Sequence, residues 1–140
     1  MKRYGVKNVS QVTEIQKKKK KLYRFDNQWF DSSWELAFYI WHKDHHIKLI
    51  HEPEKLQYLD RYGNSHWYFP DFKIDDEFIE IKGNQFYDNT GQVLDEYKDK
   101  FDFMQSINVK ILRYDDIKQY LIYVNEVYGK DYLRQFKHIK

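Results

Sequence analysis

Residues 68–83 read YFPDFKIDDEFIEIKG, and the way acids are set into this stretch decides how the chain folds. On either side of Asp75-Asp76, apolar and polar residues alternate, the period of half-buried strands. A two-residue loop at Asp75-Asp76 therefore joins strands predicted over 67–74 and 78–82, although Asp-Asp is less favoured there than Asn-Gly. In that register Asp71 lies opposite Glu80, Phe69 opposite Lys82 and Phe72 opposite Ile79. Because side chains alternate, Phe72, Ile74, Ile79 and Ile81 share one face, while Asp71, Lys73, Glu80 and Lys82 share the other.

Like charges directly opposite one another destabilise a sheet unless one takes up a proton or a cation lies between them. Mg²⁺ suits such a pair: it prefers oxygen ligands and is usually held by one or two carboxylates plus water and substrate phosphate. Lys82, one pleat from Glu80, can reach a water or a phosphate oxygen, and the set fits metal-assisted hydrolysis. A blander reading has Lys73 or Lys82 neutralising the acids on a solvated face. A Glu-x-Lys triplet alone carries little weight. The whole pattern, aromatic-Pro-Asp-Phe, turn, Ile-Glu-Ile-Lys-Gly, is more specific, because it forces the acids onto one face between apolar neighbours.

Working outward, Ser32 followed by residues 34–41 predicts a helix, with Ser32 as N-cap and Glu35 at the capping-box spacing. The polar residues 42–46 end it. Residues 47–50 and 56–59 predict short strands, and Arg61-Tyr62-Gly63-Asn64 a hairpin turn. After an exposed loop over 83–91, Leu94, Tyr97, Phe101 and Met104 recur at helical spacing. A strand over 109–112 and a helix from Asp115 follow. The order predicts one mixed α/β (α+β) domain over 25–140, a central sheet flanked by helices.

At 140 residues the chain fits a single domain, and its 13 Tyr, 10 Phe and 4 Trp supply the core. It has no cysteine, which excludes disulfides and thiolate metal sites and suits a reducing cytosol. No apolar run approaches the roughly 18 residues of a membrane span, so a cytoplasmic protein is expected. The net charge of +2 is small but uneven: residues 1–24 form a basic arm with one acid, Glu14. Lys17, Lys18, Lys19, Lys20 and Lys21 would attract phosphate, or form no more than a solvated tail.

Pro70-Asp71, Glu80-Ile81-Lys82 and the upstream Glu35 resemble the PD-(D/E)xK nuclease superfamily, the restriction-endonuclease-like fold, over roughly residues 25–112. The resemblance implies a Mg²⁺-dependent endonuclease acting on double-stranded DNA, with Mn²⁺ able to substitute. Asp71, Glu80 and the carbonyl of Ile81 would bind the metal, and Lys82 would serve the attacking water. Glu35 would complete the acidic cluster, serve as a capping box, or do both. Lys73 and the lysine run would contact DNA. The arm KRYGVKNVSQVTEIQKKKKK is similar to a unit found ahead of nuclease domains in phage-type homing endonucleases. That likeness implies a phage-encoded enzyme in a bacterial host, and a homodimer is the simplest way to cut both strands. Two competing classes are a DNA-docking module without turnover and a structural phage protein with an incidental acidic hairpin. His42, His45, His46 and His51 are expected at the surface or in the core rather than in a zinc site, and His66 at an ordinary strand position. Tyr87, Asn89 and Gln92 belong to a polar loop.

Overall fold

The Asp75-Asp76 hairpin forms in the expected register. In the computed structural model, which describes residues 22–138, β6 (Phe72–Ile74) runs antiparallel to β7 (Glu77–Ile81). Phe72 pairs with Ile79, Lys73 with Phe78 and Ile74 with Glu77. Asp75 takes a left-handed backbone (φ 53°), which its short polar side chain tolerates better than most. The faces separate as the alternation requires, with Phe72, Ile74, Ile79 and Ile81 in one apolar cluster.

This hairpin is the centre of a four-stranded sheet, flanked by β3 (Ile50–His51) on the β6 side and β8 (Lys110–Leu112) on the β7 side. β3 is antiparallel to β6, whereas β8 is parallel to β7. A parallel neighbour needs a crossover, and the helix α2 (Asp95–Ser106) supplies it. The chain is thus a mixed α+β fold.

One predicted strand is corrected. Residues 67–74 do not run as a single strand: β5 (Ser65–Tyr68) pairs with β4 (Leu56–Leu59) in a separate hairpin, and β6 alone joins the main sheet. The break falls at Phe69-Pro70-Asp71, where Pro70 has no N–H to give a ladder. Phe69 and Asp71 are therefore outside the β6–β7 ladder: Phe69 is not opposite Lys82, and Asp71, expected opposite Glu80, meets β7 through its carboxylate at Ile81 instead.

A second hairpin, unforeseen, precedes the first helix. β1 (Tyr23–Phe25) and β2 (Gln28–Phe30) meet across Asp26-Asn27, both at positive φ (56° and 61°), the signature of a type I′ turn. β1 thus takes up Tyr23 and Arg24, which the sequence assigned to the arm; the lysines 17–21 lie outside the described residues. The N–H of His138 donates to the carbonyl of Leu22 at 2.8 Å, so the end of the described chain packs back on this hairpin.

The sheet has a layer on each side. Against one face pack α1 (Ser33–Asp44) and α3 (Tyr114–Tyr128), burying Leu36, Phe38, Ile40, Ile117 and Val124 with Phe72 and Ile79. Each such side chain contributes roughly 1.5–3 kcal/mol by leaving water. Against the other lie α2 and the β4–β5 hairpin, joined through Tyr68, Phe101 and Met104, with Ile111 beside them. No helix among the described residues is long and apolar enough to cross a membrane.

Candidate active site

Asp71 follows Pro70 and precedes β6, where backbone pairing to β7 has lapsed. Its carboxylate substitutes for the missing ladder partner: Oδ2 accepts the N–H of Ile81 at 2.8 Å. On the other side, its carbonyl accepts the N–H of Glu52 at 3.0 Å. The side chain is buried and held at the end of the sheet where β7 finishes.

Glu80 points to the face opposite Ile79, into the layer containing Tyr68 and α2. Its Oε1 accepts the hydroxyl of Tyr68 at 2.8 Å, and Oε2 is 2.9 Å from the ammonium of Lys82. Both members of this ion pair are buried, at 4% and 6% exposure, so each depends on the other to offset lost hydration. Lys82 continues the β7–β8 pairing through its N–H, 2.9 Å from the carbonyl of Leu112. Its Nζ also lies 4.3 Å from the centre of the Phe86 ring, in the 3₁₀ turn Asn84–Phe86. A desolvated cation over an aromatic face gains about 1–2 kcal/mol.

The first turn of α1 supplies further acids. Ser32 caps it, its Oγ accepting the N–H of Glu35 at 3.3 Å. The return half of the expected capping box is displaced by one residue: Glu35 Oε1 accepts the N–H of Asp31, at 3.4 Å, rather than that of Ser32. Glu35 is buried at 6% exposure, unusual for an acid whose only task is to cap. Asp31, Glu35 and Asp71 each offer one carboxylate oxygen, and these three atoms lie within 4.8 Å of one another. Octahedral Mg²⁺ ligands at about 2.1 Å from the ion are about 3 Å apart in adjacent positions and about 4.2 Å across. The hard-oxygen donor set therefore fits that ion with a small closure. Among the described residues this is the one group of three or more potential ligands at such spacing, and Glu80, expected to share the ion with Asp71, is not part of it but meets Tyr68 and Lys82.

Two members of the neighbourhood went unread in the sequence. Asp31 precedes an N-cap serine, where acids are commonplace near a helix start, so only its distance to Asp71 sets it apart. Tyr68 sits two residues before Pro70, hidden among 13 tyrosines; strand alternation could have aimed it at the acids had the break at Pro70 been foreseen. Burial, then the charge of Glu80 and the hydrogen bond to it, push the Tyr68 phenol far above its usual range. It stays a neutral donor.

Lys73 stands apart from these groups, 3.2 Å from Glu54 and over the ring of Phe78. The histidines do not converge: His42 and His45 place Nδ1 2.7 Å from the carbonyls of Phe38 and Trp41, and His51 meets Gln28. His66 meets Asp60 at 2.9 Å. In the loop beyond Gly83, the Arg113 guanidinium stacks 3.7 Å from the Tyr87 ring centre and donates to Asn84. Compared with protein-family models, curated proteins and solved structures, the chain matches none.

Proposed function

We propose that this protein is a divalent-metal-dependent endonuclease that hydrolyses phosphodiester bonds of double-stranded DNA on a restriction-endonuclease-like core, of the PD-(D/E)xK kind. One observation carries the reading: the acids Asp31, Glu35 and Asp71 gather at the end of β7 that also bears the Glu80–Lys82 pair. The element order supports it too, since the main sheet and its helices run helix, three strands, helix, strand (α1, β3-β6-β7, α2, β8), the order of the core in that superfamily.

Asp71, Glu80 and the carbonyl of Ile81 would hold the metal directly, with Asp31 and Glu35 binding it through water, which leaves positions for a phosphate oxygen and the attacking water. A bound Mg²⁺ supplies Lewis acidity toward a phosphate oxygen and lowers the pKa of water, and Mn²⁺ would serve as well. The Lys82 ammonium orients the attacking water and balances negative charge that develops on the phosphate. The N–H of Ile81, bonded to Asp71, fixes the carboxylate that faces the other acids. Lys73 and the lysines at 17–21 would add sequence-independent phosphate contacts. The arm points to a homing-endonuclease-like enzyme, with a homodimer as the simplest arrangement for cutting both strands.

A second reading, a DNA-docking module without turnover, draws on the burial of Lys82 beneath Phe86. Phosphate reaches that ammonium only if the 84–86 turn shifts. Plasmid nicking in Mg²⁺ by wild type, Asp71→Asn and Lys82→Ala separates the two. The nuclease reading expects relaxation of supercoiled DNA by wild type alone; equal rates in all three discredit it.

A further inference from the structure

Tyr68 is the one wholly buried tyrosine among the described residues, and it sits beside the ion pair rather than in the larger apolar cluster. Its ring packs with Phe101 and Met104, meets Phe103 edge-on at 6.1 Å, and carries the Lys100 ammonium 5.7 Å from its centre. Those contacts hold the ring; the hydroxyl has a separate use. It donates to Glu80 Oε1 at 2.8 Å while Lys82 faces Oε2 at 2.9 Å.

The last torsion of a glutamate is soft and broad, so a carboxylate gripped through one oxygen still turns about its axis. Two donors on different oxygens fix its plane. Tyr68 comes from β5 and Lys82 from just past the end of β7, so the orientation of Glu80 is set jointly by its own strand and by the hairpin that Pro70 separates from the main sheet.

We infer that Tyr68 is a positioning residue, whose hydroxyl holds the Glu80 carboxylate in the orientation needed to share a divalent cation with the acids around Asp71. This rests on the nuclease reading for the identity of the site, but its test is a binding measurement that does not require turnover. Ligand-orienting partners of metal sites typically change metal affinity 10–100-fold when removed.

The experiment is a double-mutant cycle of Tyr68→Phe and Glu80→Gln, read by calorimetric titration with Mn²⁺ and by plasmid nicking across Mg²⁺ concentrations. Phe keeps the ring and its packing and removes only the oxygen; thermal unfolding in EDTA confirms that each variant folds. Tyr68→Phe is expected to weaken Mn²⁺ about tenfold and to raise the Mg²⁺ half-saturation by the same factor, with the rate at saturating metal within about threefold of wild type. In the Glu80→Gln background the same change should do less than about twofold, because the group it orients is gone. Unchanged Mn²⁺ affinity in Tyr68→Phe, or an equal loss with and without Glu80, overturns the inference. Wild type that binds Mn²⁺ but never nicks DNA sinks the nuclease reading alone, and the affinity ratio still judges Tyr68. Wild type that binds no Mn²⁺ removes both. Should Tyr68→Phe not fold, Glu80→Gln against wild type decides instead: Mn²⁺ affinity indifferent to Glu80 leaves Tyr68 nothing to position and refutes the inference.

Discussion

Glu35→Gln decides between two tasks for one carboxylate, because they predict opposite signs of the stability change. The substitution keeps an oxygen for the N–H of Asp31, a bond already long at 3.4 Å, and removes a charge from a group of three acids whose nearest oxygens are within 4.8 Å. At that separation a pair of unit charges repels by about 3.5 kcal/mol at an effective dielectric near 20, and Glu35 takes part in two such pairs. Solvent screening and local hydrogen-bond donors reduce that ceiling, leaving about 1–2 kcal/mol relieved. Against it stands the loss of an anion at a helix N-terminus, about 0.3–1 kcal/mol. In EDTA the variant should therefore melt no lower than wild type and up to about 7 °C higher, taking about 4 °C per kcal/mol for a chain of this size. Metal works against that gain by about 1 kcal/mol. Mg²⁺ at ten times its dissociation constant stabilises wild type by about 1.4 kcal/mol, and a tenfold weaker site gains only about 0.4 kcal/mol. Scanning calorimetry of both proteins in EDTA and in Mg²⁺ reads these shifts. If Glu35→Gln melts several degrees lower in EDTA and keeps the full Mg²⁺ shift, Glu35 is a cap and the metal reasoning fails.

Lys82→Met leaves the buried Glu80 carboxylate without its ammonium and should cost about 3–5 kcal/mol in urea unfolding, while Lys82→Met/Glu80→Gln recovers most of that; additive losses would mean the 2.9 Å pair is not coupled. Burial raises the Asp60 carboxyl, but the His66 hydrogen bond and the N–H groups of Asn64 and Tyr62 outweigh it and hold the group down at about 2. A depressed acid stabilises the fold above its unfolded value near 3.8 and loses that contribution as pH falls toward 2. Asp60→Asn should therefore be less stable than wild type by about 1–2 kcal/mol at pH 7 and match it near pH 2, with a difference constant from pH 2 to 7 as the contrary result. Asn27→Gly, at a left-handed position in the β1–β2 turn, should raise the urea midpoint by about 0.5–1 kcal/mol equivalent; a loss would show that the Asn27 side chain does more than fill the turn.

The sheet was legible because its signals are local. Alternation on both sides of Asp75-Asp76 fixes register within a two-residue loop, and the pairing of Phe72 with Ile79 follows from counting. Ser32 likewise marks the start of α1 whatever packs on it. What escaped depends on contacts distant in sequence or on special backbone. Asp26-Asn27 lacks the glycine that usually advertises a type I′ turn, so in sequence Tyr23 and Arg24 of β1 read as part of the basic arm. The partition of 67–74 between two sheets is a tertiary choice, although Pro70 marked where a break was cheapest. Asp31 is ordinary in sequence and gains meaning only when α1 is laid beside Asp71, 40 residues along.

The break at Pro70 also answers why acids interrupt segments that otherwise read as buried strand. An unbroken strand through residue 71 would spend its backbone groups on the β7 ladder and lay its acid on a flat sheet face. With the ladder ended at Phe72, Asp71 uses its own carboxylate to satisfy the Ile81 N–H, a bond that both closes the sheet and anchors the acid. The same interruption releases β5 into the other layer and brings Tyr68 back over Glu80. One irregularity in the chain therefore anchors two acids at a single sheet end, Asp71 on the Ile81 N–H of β7 and Glu80 on the Tyr68 hydroxyl of β5, with the Lys82 ammonium paired to Glu80 beside them. Buried charges of this kind support the proposed catalytic site, and structural ion-pair networks also keep them. Apolar replacement discriminates between the two: Glu80→Met/Lys82→Met should equal or exceed wild type in urea stability while abolishing nicking, whereas a chain that loses both together would mark the pair as a structural necessity.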